Sequence, residues 1–254
     1  MNILKIKVIY PKLSIIIPVL NNLDGLKKSI ESISSQIFKD YEVWIIDGGS
    51  TKKTKDYLAS LVFPFFWLSE KDSGIYDAMN KGLQYANGEW VYFLGSGDEF
   101  IDKQVLQTIF SKEYQEGVSI ISGSVLYEGD AKPFIYSKTK AIKNPSWNFS
   151  MWIRNGLHHQ ATFYKKILFV DVKYDLNYPI FSDYWFNLLQ YKNKVNCFLL
   201  SDVIAKCTSD GVSKLGSKKN YKEEVQFKTH LSSSLFAPVF YLLVTLKMSL
   251  KKLV

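Results

Sequence analysis

The sequence predicts an α/β protein whose mostly parallel sheet is flanked by helices. Two observations support this fold class. Short runs rich in β-branched and aromatic residues recur at intervals of roughly 25 to 30 residues, about the length of a βαβ unit. The segments between these runs have apolar residues at helical spacing. Strands that alternate with helices in this way form parallel sheets, because each helix carries the chain back to the start of the next strand.

Four strands are predicted in the first part of the chain, at residues 13–17, 41–46, 65–68 and 89–94. The first run is almost continuously apolar, as expected for a strand buried on both faces. Helices are predicted between them, because apolar residues repeat at i, i+4, i+7 and i+11 over 26–37 and at similar spacing over 75–86. Asn22 and Asp24 are candidate N-caps of the first of these helices.

The pattern is looser after residue 100. Strands are predicted at 118–122 and 159–164, a helix at 184–191, an extended segment at 195–205 and a loop at 130–150. No linker divides the chain. We therefore interpret residues 1–230 as one domain and residues 231–254 as an apolar, lysine-rich tail.

The composition favours a folded protein with anionic ligands. The chain has 254 residues, 47% of them hydrophobic, and 32 Lys and Arg against 24 Asp and Glu give it a net charge of +8. A basic protein suits phosphates, an anionic membrane surface or nucleic acid. Nucleic acid is excluded as a partner, because the lysines are scattered and no recognition motif is present.

The cysteines and the first residues predict a cytoplasmic protein. Cys197 and Cys207 are too few for a disulfide framework and suit a reducing compartment. Residues 1–10 contain Lys5 and Lys7 within an apolar stretch and do not resemble a signal peptide. No apolar run approaches the roughly 18 residues that span a bilayer. We expect a peripheral protein on the inner face of the cell membrane.

Acidic side chains follow three of the four predicted strands. Asp47 follows the second strand, Glu70 and Asp72 follow the third, and Asp98 and Glu99 follow the fourth. The carboxyl ends of parallel strands meet at one edge of a sheet, where ligands bind in such folds. Carboxylates gathered there repel one another unless a cation or hydrogen-bond donors compensate. The simpler alternative is that each Asp is an ordinary loop or helix-cap residue.

The sequence lacks the glycine-rich motifs that hold phosphates through backbone amides. No G-x-G-x-x-G follows the first strand, and no G-x-x-x-x-G-K-[ST] is present. These absences favour a nucleotide held by carboxylates and a divalent metal.

Three motifs occur in order in the first part of the chain, SIIIP at 14–18, IIDGGST at 45–51 and DSGIYDAMNKG at 72–82, and HQATFY at 159–164 and SDY at 182–184 follow them. In type and spacing they resemble the inverting family 2 glycosyltransferases, in particular bacterial members that build surface polysaccharides of the colanic acid, O-antigen and capsule type. The resemblance implies a Rossmann-like GT-A fold, with a nucleotide-binding half over 1–100 and an acceptor and catalytic half over 101–230. It also implies a nucleotide-sugar donor, with UDP as the expected nucleotide, and a glycan or polyprenyl-diphosphate-linked acceptor.

The same resemblance implies the residues of the site. Those expected around the nucleotide are Pro18, Asn21, Asp47, Asp72, Asn80 and Lys81. Those expected near the donor sugar or the acceptor are Ser96, Gly97, His159, Gln160 and Ser213. Asp98 would coordinate Mg²⁺ or Mn²⁺ on the diphosphate, Asp47 would accept a base N–H, and Asp183 would be the catalytic base. For Asn80 and Lys81 a solvated helix surface is the open alternative, and for His159 a structural role.

These residue types suit the displacement of a nucleoside diphosphate from a sugar. A divalent cation stabilises the charge that builds on the leaving group, and one carboxylate removes the proton of the acceptor hydroxyl without a covalent intermediate. Gly97 departs from the family, which commonly has Asp there. The metal would then rest on Asp98, diphosphate oxygens and water, an arrangement that Mg²⁺ tolerates.

The tail has three open interpretations. Residues 235–244 are apolar but too short to span a bilayer, and Lys247, Lys251 and Lys252 follow them. Such a segment can lie in the membrane interface with its lysines on lipid phosphates. It can equally be a helix docked on the body of the protein, or a contact in a homodimer.

The leading hypothesis is therefore an inverting, metal-dependent hexosyltransferase or N-acetylhexosaminyltransferase. A nucleotidyltransferase would need a basic glycine-rich loop after the first strand, which residues 19–22 do not provide. A non-catalytic nucleotide-sugar or glycan-binding protein on the same fold is the alternative from another class, and Gly97 leaves room for it.

Overall fold

The structure is a computed structural model that describes residues 10–128, 141–208 and 218–252. The strands within these ranges are β1 (Leu13–Val19), β2 (Tyr41–Asp47), β3 (Phe65–Ser69), β4 (Trp90–Phe93), β5 (Glu99–Phe100), β6 (Val118–Glu128), β7 (Ile142–Lys143), β8 (Thr162–Lys165) and β9 (Asn196–Thr208). The α-helices are α1 (Leu23–Ser34), α2 (Lys52–Ala59), α3 (Ile75–Tyr85), α4 (Val105–Phe110), α5 (Ser182–Lys192), α6 (Lys218–Leu231) and α7 (Ala237–Lys252).

The strands form one sheet in the order β3-β2-β1-β4-β8-β6-β9-β5, with β7 beside β6. Strands β1 to β4 are parallel to one another, and β6 and β9 form a second parallel pair. Strand β8 joins the two groups and is antiparallel to both β4 and β6. The α/β class and the mostly parallel sheet predicted from the sequence are confirmed.

Helices cover both faces of β1, which explains its continuous apolar run. Ile15 and Ile17 belong to the core on the face that also contains Leu26 of α1. Ile16 points to the opposite face, where Met79 of α3 packs. All five side chains have no exposed surface, as expected where alternate residues of a strand enter two different cores.

A buried carboxylate joins the amino ends of three parallel strands. Glu42 at the start of β2 accepts a hydrogen bond from the Ser14 hydroxyl of β1 (2.6 Å). It also accepts one from the Asn87 backbone N–H (2.5 Å). The Gly88 N–H, two residues before β4, donates to Ser14 Oγ (2.7 Å). This network, Ser14–Glu42–Asn87–Gly88, lies at the end of the sheet opposite to the carboxyl ends of the strands.

The strand predicted over 159–164 is wrong in its first half. Residues His159–Ala161 form a 3₁₀ turn, and β8 begins only at Thr162. The His158 carbonyl causes the difference, because it accepts the Ala161 N–H (2.9 Å) and the Thr162 hydroxyl (2.6 Å) and so closes a turn. The loop predicted over 130–150 is partly wrong, since 142–143 is a strand and 149–152 a 3₁₀ helix; residues 129–140 lie outside the described ranges.

The C-terminal region contains two packed helices. Helix α6, which the sequence pattern did not predict, places Phe227 against Tyr184 of α5, with ring centroids 5.0 Å apart. Helix α7 packs on α6 through Phe240 and Val244, which contact Val225. No helix in the described ranges combines the length and hydrophobicity needed to cross a bilayer.

One lysine of α7 forms an ion pair within the protein. Lys247 forms an ion pair with Glu224 of α6, and Glu224 also binds the buried Lys228 ammonium (2.5 Å). A buried carboxylate within the protein therefore attracts Lys247, one of the three lysines that the interfacial interpretation places on lipid phosphates. The side chains of Lys251 and Lys252 lie outside the described part of the structure.

Candidate active site

The carboxyl ends of β1 and β2 are joined by Asn21. Its backbone N–H donates to Ser50 Oγ (2.7 Å), and its side-chain oxygen accepts the Thr51 N–H (3.1 Å). Asn21 has a φ of 52°, a left-handed conformation in which Asn is enriched several-fold. The loops after the first two strands therefore form one surface, which we call the carboxyl edge together with the loops after β3 and β4.

Asp47 lies in the floor of this edge. Both of its oxygens accept the Ser50 N–H at 3.1 Å, and one accepts the Ser69 hydroxyl of β3 (2.6 Å). Its side chain has no exposed surface. Pro18 is also buried and pairs with Ile46 in the parallel ladder between β1 and β2. Asp47 therefore fixes the turn after β2 and ties it to β3.

Asp72 folds over the end of β2. A Cβ at position 48 would overlap Asp72 Oδ2, so Gly48 is the residue that leaves space for this carboxylate. The other oxygen of Asp72 accepts the Gly74 N–H (3.0 Å) just before α3. The predicted approach of Asp47 and Asp72 at one edge is thus present in the structure.

Ser29 of α1 holds the loop that carries Asp98. Its hydroxyl donates to the Asp98 carbonyl (2.8 Å) and accepts the Gly97 N–H (2.9 Å). Gly97 has a φ of 108°, a conformation that favours glycine. The side chain of Asn22, the N-cap of α1, donates to the Ser96 carbonyl (2.8 Å). Helix α1 therefore sets the position of the whole loop after β4.

The donor set of this loop fits a metal that is shared with a diphosphate. Within the described ranges, no three His, Cys, Asp or Glu side chains are grouped as metal ligands. A Cβ at position 95 would overlap Asp98 Oδ2, so Gly95 gives this carboxylate space at the carboxyl edge. Mg²⁺ keeps several waters and is usually bound by one or two carboxylates plus substrate phosphates. Asp98 can supply that single carboxylate.

Asp183 lies in the first turn of α5 and is contacted from three directions. One oxygen accepts the Tyr76 hydroxyl of α3 (2.7 Å). The other accepts the Asn155 amide (3.3 Å) and lies 3.5 Å from His159 Nδ1. The side chain is only 14% exposed. The carboxylate is thus held in one orientation by groups from separate segments.

The surroundings of Asp183 keep it ionised. Burial raises the pKa of this carboxyl, but the hydrogen bond and charge of His159 and the Tyr76 hydroxyl outweigh it and leave the pKa below its ordinary value. At neutral pH the group is therefore a carboxylate that can accept a proton.

Asp98 and Asp183 both act electrostatically on Tyr127 of β6. Burial raises the pKa of Tyr127 on β6, and interactions with Cys207, Asp98 and Asp183 raise it further. The Tyr127 hydroxyl lies 3.1 Å from His158 Nδ1, next to the turn that brings His159 to Asp183.

Comparison with known proteins decides the family. The model of the family described as Glycosyl transferase family 2 matches residues 14–173. The chain belongs to this family. A curated relative, the PGL/p-HBAD biosynthesis glycosyltransferase of Mycobacterium tuberculosis, is 32% identical over 192 residues, which cover 72% of this chain and 71% of the relative. The protein is therefore a glycosyltransferase.

Two further proteins resemble this glycosyltransferase. The GalNAc(5)-diNAcBac-PP-undecaprenol beta-1,3-glucosyltransferase of Campylobacter jejuni is 35% identical over 123 residues, or 46% of this chain and 39% of the relative. The crystal structure of glucosyl-3-phosphoglycerate synthase from Mycobacterium tuberculosis, in complex with Mn²⁺, uridine diphosphate and glucosyl-3-phosphoglycerate, aligns with a TM-score of 0.60 at 14% identity. The alignment covers 87% of this chain and 80% of that one, which supports the GT-A fold.

Asn80 and Lys81 bind other residues of this glycosyltransferase. The Asn80 amide donates to the Tyr174 carbonyl (2.8 Å) and accepts the Tyr174 N–H (3.0 Å). Lys81 binds the Glu70 carboxylate (2.9 Å) and the Lys71 carbonyl (2.8 Å). These contacts hold two loops against α3, so both residues shape the site through the backbone they position.

The remaining predicted residues are placed as follows. Gln160 accepts the Tyr92 hydroxyl at its backbone carbonyl (2.5 Å), and Ser213 lies outside the described residues. Sequence reasoning missed the roles of Ser29, Tyr76 and Asn155. Ser29 had a signal, since it is a polar residue on the buried face of α1. No sequence pattern indicated the role of Asn155, because its partner Asp183 is distant in sequence.

Proposed function

We propose that this glycosyltransferase moves a sugar from a UDP-linked donor to a polyprenyl-diphosphate-linked glycan during surface polysaccharide assembly, with inversion at the anomeric carbon. The observation that carries the proposal is the largely buried carboxylate of Asp183, which Tyr76, Asn155 and His159 orient and keep ionised. Two related proteins add support, since one is a glucosyltransferase for an undecaprenol-linked glycan and the solved structure of the other contains uridine diphosphate and Mn²⁺.

Asp183 is the base in this mechanism. Its carboxylate takes the proton of the acceptor hydroxyl while that oxygen attacks the anomeric carbon and the bond to the diphosphate breaks. Tyr76 and Asn155 keep the carboxylate in one orientation, which preserves the geometry of attack. One displacement without a covalent intermediate inverts the anomeric centre.

The nucleotide and its diphosphate lie along the carboxyl edge. Asn21 and Asp72 border the nucleoside, and the buried Asp47 and Pro18 form the floor beneath it. Asp98 would hold Mg²⁺ or Mn²⁺, which when bound stabilises the charge on the departing diphosphate. Ser29 keeps the backbone of that loop in place.

Helix α7 and the turn before it present an apolar stripe to the surface. Its members are spaced at i, i+4, i+7 and i+11 and are each at least half exposed: Leu235, Val239, Leu242 and Leu246. An exposed apolar face of this kind can lie in the membrane interface. We propose that the stripe brings the enzyme to its lipid-linked acceptor on the inner face of the membrane.

The activity is tested in two steps. A thermal-shift screen of UDP, UDP-glucose, UDP-galactose and their N-acetyl derivatives, with and without Mn²⁺, identifies the donor, because a bound ligand raises the melting temperature. UDP release is then measured with undecaprenyl-diphosphate-linked saccharides for wild type, Asp183→Asn and the exposed control Asp171→Asn. We expect Asp183→Asn to lose about 100-fold or more in kcat while its thermal shift remains. Wild-type activity in that variant would refute the role of Asp183, and stabilisation of wild type without turnover would favour a binding protein.

The membrane proposal is tested by flotation with vesicles that contain phosphatidylglycerol. Wild type should float with the vesicles, and the double variant Leu242→Glu/Leu246→Glu should not, with its fold checked by circular dichroism. If the double variant floats like wild type, the stripe is not the membrane contact. If wild type elutes as a dimer that the double variant splits, a second copy covers the stripe instead.

A further inference from the structure

The backbone just before the catalytic helix is held by a carboxylate from α6. Oε1 of Glu223 accepts the N–H groups of Ile180 (2.9 Å) and Phe181 (2.7 Å). Glu223 is only 6% exposed. We propose that Glu223 is a positioning residue for Asp183, an inference that rests on the proposed role of Asp183 as the base.

Helix α5 has no cap of its own at this end. Phe181 occupies the N-cap position, and no side chain there accepts a hydrogen bond from the first turn. The N-cap position normally carries Ser, Thr, Asp or Asn, which a phenyl ring cannot replace. Two charge-assisted hydrogen bonds, donated by the backbone to Glu223, fix the adjoining segment instead. The direction in which α5 starts, and with it Asp183, is therefore set from α6.

A second contact links the same backbone to the base. The Tyr76 hydroxyl lies 3.0 Å from the Ile180 carbonyl and 2.7 Å from Asp183 Oδ1. Ile180 is thus held at its N–H by Glu223, and its carbonyl shares with Asp183 the single hydrogen of the Tyr76 hydroxyl. A shift of this residue would disturb Asp183 through both the helix and Tyr76.

Helix α6 is held by its own contacts with the rest of the protein, so the position of Glu223 is fixed. Phe227, one turn later, packs between Tyr178 and Tyr184 at centroid distances of 5.7 and 5.0 Å. The buried Lys228 donates to the Ile153 carbonyl (3.2 Å). The C-terminal helices are therefore part of the apparatus that orients the base, although they lie far from it in sequence.

The test compares Glu223→Ala, Glu223→Gln and the exposed neighbour Lys222→Ala in the UDP-release assay, with the donor found by thermal shift and undecaprenyl-diphosphate-linked saccharides. Misplacement of a catalytic group by about 1 Å can cost about 100-fold in rate. We expect Glu223→Ala to lose about 10- to 100-fold in kcat with its donor KM within about twofold of wild type. Glu223→Gln keeps an oxygen that accepts both N–H groups and should restore most of kcat, and Lys222→Ala should resemble wild type.

Several outcomes would overturn the inference. Wild-type kcat in Glu223→Ala would do so, and so would a rise in donor KM as large as the fall in kcat, since that indicates general loosening. If Glu223→Ala fails to fold, Glu223→Asp, which keeps the charge but shortens the side chain, must still lower kcat at constant donor KM. Failure of the proposed function is distinct: wild type would then be inactive, or Asp183→Asn would be active.

Discussion

Ser29→Ala tests whether α1 organises the loop that carries Asp98, which we propose to bind the metal. The Ser29 side chain has no exposed surface. It donates to the Asp98 carbonyl at 2.8 Å, with the Gly95 carbonyl at 3.2 Å sharing the same hydrogen, and it accepts the Gly97 N–H at 2.9 Å. Alanine removes both bonds and leaves the loop backbone without these partners.

The size of the effect follows from these two bonds. Each hydrogen bond contributes about 1 kcal/mol net, so the variant should lose about 2 kcal/mol of unfolding free energy. For a protein of this size that corresponds to a fall of about 4–8 °C in Tm. About half of this loss, about 1 kcal/mol, is expected to favour conformations of the Asp98 loop that cannot bind the metal. The apparent dissociation constant of Mn²⁺ then rises about fivefold, because only the ordered fraction of the protein binds.

The assay is the Mn²⁺ concentration that gives half-maximal UDP release at saturating donor. Ser32→Ala is the matched control, because Ser32 also lies on α1 and accepts a backbone N–H, that of Phe100 (2.8 Å), beyond the loop. Both variants should be less stable than wild type, but only Ser29→Ala should need more Mn²⁺. An equal Mn²⁺ requirement in the two variants would refute the reasoning.

Three further predictions concern the base and the C-terminal helices. Tyr76→Phe removes a hydrogen-bond donor that lowers the pKa of Asp183, so the acid limb of the kcat–pH profile should move to higher pH. Tyr174→Phe is the control, because it removes a buried hydroxyl that has no hydrogen-bond partner in the described residues. It should leave the acid limb unchanged. Because the pKa of Asp183 lies below its ordinary value of 3.8, its contribution to stability is complete above that pH and disappears as the pH falls through the folded-state pKa. In urea unfolding, the difference in free energy between wild type and Asp183→Asn should therefore shrink in strong acid, and a constant difference would contradict this. Glu224→Gln leaves the buried Lys228 ammonium without its carboxylate and should cost about 3–5 kcal/mol, read as a lower Tm.

The sequence was informative where local pattern and tertiary structure agree. The continuous apolar run of β1 predicted a strand buried on both faces, and α1 and α3 do cover it. The acidic residues Asp47 and Asp72 follow strands that the βαβ spacing located and made parallel, so their approach at one edge could be predicted. These inferences needed only the direction of each strand and the position of its end.

Contacts between distant segments could not be predicted in the same way. Nothing near Glu223 in the sequence shows that its carboxylate meets the backbone before α5, because that contact depends on how two helices pack. The turn at His159 was missed for a similar reason, since the residues 159–164 have strand-like composition and a single carbonyl, that of His158, decides the local geometry. The ion pair of Lys247 could not be predicted either, because its partner Glu224 is buried on another helix.

The Ser14–Glu42–Asn87–Gly88 network stabilises the end of the sheet opposite to the candidate active site. It ties the amino ends of the strands together, while the loops that carry Asp72 and Asp98 emerge from the other end. Substitutions that adapt the loops to a different sugar can therefore accumulate without weakening this network. A scaffold divided in this way allows donor preference to diverge while the architecture of the chain is retained.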